Sequence, residues 1–228
     1  MRHKFTCEVA IVVVSIDILF INLLHMNTHF DSIADGLAEK GYAIADDFLS
    51  PAEVSAILNL DTFKAGISEF KKAGIGKDQG LQINEAIRGD YIQWLDKTTS
   101  PEAVRVYLNR LNELVQFLNQ NLFLSLKDYE VHLTVYPPGS YYKRHLDQFK
   151  KNDHRRLSVI CYLNPDWRPE EGGQLRMYLE EDQLDTLPQA GRLVCFRSDQ
   201  IEHEVLPATR ERLSLTGWML DQLVDVRI

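Results

Sequence analysis

The segment Tyr129-Glu-Val-His-Leu-Thr-Val-Tyr136, closed by Pro137-Pro138-Gly139, decides how this chain folds. Apolar or aromatic residues take every second position, the period of a strand with one face turned inward, and the Pro-Pro-Gly run after it is turn chemistry. Five further short runs, at 157–163, 174–179, 192–196, 203–206 and 212–220, share its β-branched, aromatic or alternating character, and Asn164-Pro165 and Gly172-Gly173 punctuate them. Short strands in this number point to a double-sheet jelly roll.

Upstream the periodicity changes to that of helices. Residues 31–40 place Ile33, Ala34, Leu37 and Ala38 at helical spacing, and 41–45 reads as a strand. Ser50-Pro51-Ala52-Glu53 combines a capping box with proline at the first helical position, predicting a helix to about Leu60. Ser100-Pro101 repeats the start signal. Behind it Val104, Tyr107, Leu108, Leu111, Leu114, Val115, Leu118 and Leu122 recur at steps of three and four, a long helix whose apolar stripe needs a sheet to cover. The expected class is α+β: a double-stranded β-helix (jelly roll) core with N-terminal helices packed on one sheet.

A chain of 228 residues, 45% of them hydrophobic, can bury one substantial core, and residues 26–228 read as a single domain. The net charge of −8 speaks against a stable nucleic-acid partner, whose affinity would rest on neutralising phosphates. Lys143, Arg144, Lys150, Lys151, Arg155 and Arg156 cluster locally, either as a positive rim or as a solvated loop. Cys7, Cys161 and Cys195 are odd in number and widely spaced, as in a reducing, cytoplasmic protein without disulfides. Residues 1–25 imitate a signal peptide or anchor, with a basic start and an apolar run from Val9 to Leu24, but Asp17 interrupts the run. An aspartate costs about 3 kcal/mol at the centre of an inserted helix. The segment reads as an extension upstream of a start at Met26, and no membrane association is expected unless it acts as an anchor.

His145-Leu146-Asp147 ends a strand-like run, His203 lies in a later one, and Arg212 follows nine residues on. Residues two apart on a strand share a face, so His145 and Asp147 can converge on one ion. Two imidazoles and one carboxylate on one face of an octahedral iron(II) leave neighbouring positions open for a chelating co-substrate and dioxygen. An arginine on a strand returning beside the second histidine suits the far carboxylate of a dicarboxylic co-substrate, which makes 2-oxoglutarate the natural candidate.

Four local strings extend this array: Tyr136-Pro-Pro-Gly leading to Tyr142-Lys-Arg-His145; Ile160-Cys-Tyr162-Leu-Asn-Pro-Asp-Trp167; Gly172-Gly-Gln-Leu-Arg; and Arg212-Leu-Ser-Leu-Thr-Gly-Trp218. Ile87-Arg-Gly-Asp90-Tyr-Ile-Gln-Trp94 stands upstream. With these strings the chain resembles the 2-oxoglutarate and iron(II) dependent prolyl 4-hydroxylases, specifically the type that includes the HIF prolyl hydroxylases and their bacterial relatives. The resemblance implies Fe(II) held by His145, Asp147 and His203, with 2-oxoglutarate, O2 and L-ascorbate as partners in the reaction. It implies that Tyr162 shares the co-substrate carboxylate gripped by Arg212, that Tyr136 lies close by, that Leu175 and Val205 wall the pocket, and that Thr216 contributes contacts through water. Trp218, Trp94, Tyr142 and Arg155 would line a peptide groove, Asp90 would pair with Arg155, and residues 62–81, where the chain departs from the family pattern, would form the mobile loop over the groove. The implied activity is 4-hydroxylation of a peptidyl proline in a cytosolic protein. The alternatives are oxygenation of another side chain, a nucleobase or a small metabolite, and a sensing module without turnover.

Overall fold

The computed structural model describes residues 28–64, 66–74, 84, 86–148 and 154–224. The expectations for residues 1–25, Lys77, Lys150 and Lys151 lie outside the described residues.

Helix α1 includes residues 28–40, so the chain is already helical three residues before the predicted helix; it buries Ile33, Ala34 and Leu37 but leaves Ala38 exposed. Strand β1 (Tyr42–Ala45) follows, then α2 (Pro51–Leu58). The α2 capping box is closed in both directions: Glu53 N donates to Ser50 Oγ at 3.3 Å, and Ser50 N donates to Glu53 Oε2 at 2.7 Å. After α3 (Asp61–Lys64) and a 3-10 turn (Gly66–Glu69), β2 (Lys71–Lys72) pairs with β3 (Tyr91–Trp94). Within the described part of the expected loop 62–81, Lys71–Lys72 is thus a strand paired with β3. Helix α4 (Glu102–Leu122) begins at Pro101 with no side-chain cap, because Ser100, the expected cap, lies one residue too early.

The long helix buries the predicted stripe from Val104 to Leu118, each such side chain being worth roughly 1.5–3 kcal/mol. It packs on a seven-stranded antiparallel sheet ordered β1-β9-β6-β11-β4-β3-β2, with β4 Asp128–Tyr136, β6 Arg155–Tyr162, β9 Leu193–Arg197 and β11 Arg212–Leu220. A four-stranded sheet, β5-β10-β7-β8, closes the other side: β5 Tyr142–His145, β7 Leu175–Tyr178, β8 Gln183–Thr186, β10 Glu202–Val205. Together the sheets form the expected jelly roll in an α+β fold.

Alternation along β4 sorts the two cores. Val131, Leu133 and Val135 face the helices, whereas Tyr136 joins Ile160, Tyr162, Leu175, Met177, Val194, Phe196 and Val205 between the sheets. Both faces of β4 are covered, so even its polar residues His132 and Thr134 are buried. The inter-sheet space, apolar at its base and polar along β4 and β11, is where the candidate site lies.

Candidate active site

Strands β5 and β10 bring the two histidines together. His145 and His203 are direct partners in the antiparallel register, and their ring centroids lie 4.3 Å apart. Asp147 sits just past the end of β5 and closes the triangle: His145 Nε2 is 3.5 Å from its Oδ1 and His203 Nε2 is 3.5 Å from its Oδ2. The three ligand atoms lie within 4.8 Å of one another.

Both imidazoles are oriented through their other nitrogen. Nδ1 of His145 lies 2.6 Å from Lys143 O, and Nδ1 of His203 lies 3.2 Å from Ile201 O. A carbonyl only accepts, so each Nδ1 carries the proton and each Nε2 presents its lone pair to the triangle, the tautomer a metal needs. Ser158 Oγ donates to Asp147 Oδ2 at 2.7 Å and lies 2.8 Å from Ser198 Oγ, holding the carboxylate in one orientation. Burial opposes ionisation of Asp147, but His203, His145 and Arg155 together hold its carboxyl well below the usual range. Burial pushes His203 down to about 4, against the pull of Asp147. An ionised carboxylate and two imidazoles that turn Nε2 toward it are the donor set that fits iron(II).

Arg212 and Tyr162 lie deeper between the sheets. Arg212 is 2% exposed and donates from Nε to Gly173 O at 2.9 Å. Among the described residues, neither its Nη2 nor the Tyr162 hydroxyl, both buried, has a hydrogen-bond partner. A buried guanidinium with an idle donor beside an idle phenol is costly, and one carboxylate placed there satisfies both. The residues present thus fit the distal carboxylate of 2-oxoglutarate. Leu175 and Val205 belong to the same apolar cluster as Tyr162, Tyr136 packs 5.2 Å from the Arg212 guanidinium, and Thr216 contacts Ser214 through their hydroxyls at 3.0 Å. Gly173, which the sequence marks only as a turn, is required here: at φ +71° a Cβ would meet the Trp167 ring at 2.9 Å and Arg212 Cδ at 3.4 Å.

The outer end of the space is aromatic. Trp218 is 7% exposed and Trp94 41%, their ring centroids 6.4 Å apart, and His132 sits between and against them at 5.6 and 4.9 Å. The sequence reading missed His132, which looks there like any polar position of an alternating strand. Burial pushes its imidazole down to about 3, so it is a neutral polar group within the aromatic cluster.

One expectation is corrected. Asp90 does not pair with Arg155; it accepts a bidentate pair from Arg88 Nε and Nη2, at 2.7 and 2.5 Å. Arg155 instead binds Glu130 at 2.8 Å while its guanidinium lies 3.4 Å over the Trp218 ring. The reason is topological: Glu130 stands directly opposite Trp218 on β11, and β6 flanks β11 on the other side. Within the local basic cluster, Arg144 pairs with Glu202 and Arg156 with Asp221, which lowers the positive charge at those two positions.

A jelly roll with two histidines and a carboxylate at its mouth, and behind them a buried arginine with no ion-pair partner among the described residues, defines an iron(II) and 2-oxoglutarate oxygenase. Residues 131–220 match the 2OG-Fe(II) oxygenase superfamily. The structure is similar to a prolyl-4-hydroxylase of Pseudomonas putida, at 42% identity and TM-score 0.76, covering 85% of this chain and 100% of that one. It is also similar to a prolyl hydroxylase of Trichoplax adhaerens solved with a hypoxia inducible factor peptide, at 27% identity and TM-score 0.79, covering 88% and 92% of the two chains. A hypoxia-inducible factor prolyl hydroxylase of Caenorhabditis elegans is 29% identical over 215 residues; the match covers 84% of this chain and 28% of that longer protein. The chain belongs to the 2OG-Fe(II) oxygenases, in their prolyl hydroxylase branch. No helix among the described residues is long and apolar enough to cross a membrane.

Proposed function

We propose that the protein hydroxylates a proline in a protein or peptide substrate at C4, consuming 2-oxoglutarate and O2 and releasing succinate and CO2. The observation that carries the reading is the idle Arg212 Nη2 and Tyr162 Oη behind the His145, Asp147 and His203 triangle. Bound iron(II) supplies oxygen activation coupled to decarboxylation of the keto acid, and L-ascorbate is the reductant expected to keep it ferrous.

The residues divide the work. His145, Asp147 and His203 would hold the metal, their three ligand atoms lying within 4.8 Å of one another. Arg212 and Tyr162 would fix the far carboxylate of 2-oxoglutarate and so orient the co-substrate. Leu175 and Val205 exclude water from this shaft, Tyr136 closes it beside Arg212, and Thr216 offers a polar contact through water. Trp218, Trp94, Tyr142 and Arg155 form the peptide side, where the apolar pyrrolidine ring of a proline can pack against aromatic faces. The named relatives support proline as the target. We assign the site to a single domain, residues 26–228, acting in the cytoplasm.

The test is mass spectrometry of a host-cell lysate incubated with the protein, iron(II), ascorbate and 2-oxoglutarate under heavy-isotope O2. One heavy oxygen on a proline establishes the reaction and names the substrate. Succinate without labelled proline would retain the oxygenase and replace the substrate class.

A further inference from the structure

We propose that Arg88 is a positioning residue for the metal face, acting on His145 through Tyr142; the inference rests on the ligand reading above. Tyr142 and His145 stand three apart on β5, a spacing that in a regular strand sends side chains to opposite faces. The β5–β10 register shifts between the pairs His203↔His145 and Val205↔Tyr142, so three steps of β5 oppose two of β10. Such a bulge re-aims side chains, and here it turns both rings to the same side.

Tyr142 consequently lies flat on the His145 imidazole, with centroids 3.6 Å apart and planes 17° apart. The guanidinium carbon of Arg88 lies 4.3 Å from the centre of the same phenol ring. Two groups so close to one ring centre cannot share a face, so guanidinium, phenol and imidazole form one stacked column. Its far end is anchored in the protein. Arg88 makes its two-pronged pair with Asp90, which is 0% exposed, and donates from Nη1 to Gly74 O at 3.3 Å. The backbone repeats the clasp: Gly89 N donates to Tyr141 O and Lys143 N to Ile87 O, both at 2.9 Å.

The column supplies what the ligand lacks. The Nδ1 bond to Lys143 O pins one edge of the His145 ring but leaves the ring free to tilt about that bond. Tyr142 on its face removes the tilt, and Arg88, planar and permanently charged, keeps Tyr142 from swinging away. Nε2 is thereby aimed before the metal arrives, so less rotamer freedom is lost on binding. Lysine in place of arginine keeps the charge and loses both the fork to Asp90 and the flat stack.

The experiment titrates Co(II) alone into metal-free protein and reads its dissociation constant and visible absorption, without peptide or turnover, with thermal unfolding of each metal-free variant alongside. Arg88→Lys and Tyr142→Leu should weaken Co(II) about 10- to 100-fold, the range for groups that orient a metal-bound histidine, and shift the absorption band; Tyr142→Phe should match wild type. Should Arg88→Lys not fold, the paired replacement of Arg88→Met with Asp90→Leu removes both charges without stranding either. Wild-type affinity and spectrum in a folded Arg88 variant overturn the proposal. If wild type does not bind Co(II), or Asp147→Ala binds it equally well, the ligand assignment itself falls and the role of Arg88 falls with it.

Discussion

The Arg212 guanidinium carbon lies 5.0 Å from the centre of the Tyr162 ring, and the polar atoms by which the two would grip a ligand, Arg212 Nη2 and Tyr162 Oη, are both buried and unpartnered. Leaving such groups unsatisfied is costly, and a ligand carboxylate placed between them would complete both.

Arg212→Ala should weaken 2-oxoglutarate binding by up to about 3–5 kcal/mol, since the co-substrate carboxylate would be buried without its counter-charge. Tyr162→Phe should cost about 1.5–3 kcal/mol, the worth of one hydrogen bond to a charged acceptor. Isothermal titration of 2-oxoglutarate into Mn(II)-loaded protein measures both. Equal affinities in Arg212→Ala and wild type would remove the carboxylate site.

Asp147→Ala should abolish succinate formation. Ser158→Ala should leave the ligands in place but lose the hydroxyl that orients Asp147, lowering metal affinity about tenfold. Metal titration of the two variants separates the ligand from its support, and an unaffected Ser158→Ala protein would show that the ion alone orients the carboxylate.

Gly173→Ala should destabilise the fold by more than about 1 kcal/mol, because alanine must adopt φ +71° and its methyl meets Trp167. The same methyl presses on Arg212, so 2-oxoglutarate affinity should fall as well. Denaturant unfolding and co-substrate titration read the two effects, and a shift in only the first would confine Gly173 to the turn.

Glu53 gives a pH dependence. Burial pushes its pKa up, but Arg110 and the Ser50 cap outweigh this and leave it below the ordinary 4.5. A depressed carboxyl contributes stability that is fully present above 4.5 and is lost as pH falls through the lower folded value. Glu53→Gln should therefore flatten the unfolding free energy against pH in that acidic window. A slope identical to wild type would mean that other carboxylates carry the acid sensitivity.

Elements with a strong apolar period were legible in advance, and those without one were not. The α4 stripe and β4, β6, β7, β9, β10 and β11 carry buried residues at helical or strand spacing, so local pattern sufficed. Strand β2 is Lys71-Lys72 and β8 alternates two exposed polar residues with Leu184 and Thr186; both lie at sheet edges, where pairing rather than burial makes the strand. His132 was passed over for a related reason: only the covering of β4 on both faces makes it a buried group rather than a surface one.

Sequence by itself determined the jelly roll, the helices on its outer face and the types and order of the candidate donors, because hydrophobic periods and turn residues act over a few neighbours. Tertiary structure alone decided which charges meet. Asp90 takes Arg88 and not Arg155, Arg155 takes Glu130 across β11, and a bulge against β10 stacks Tyr142 on His145. Each of these depends on strand neighbours and register, and a shift of one residue in pairing sends a side chain to the other face.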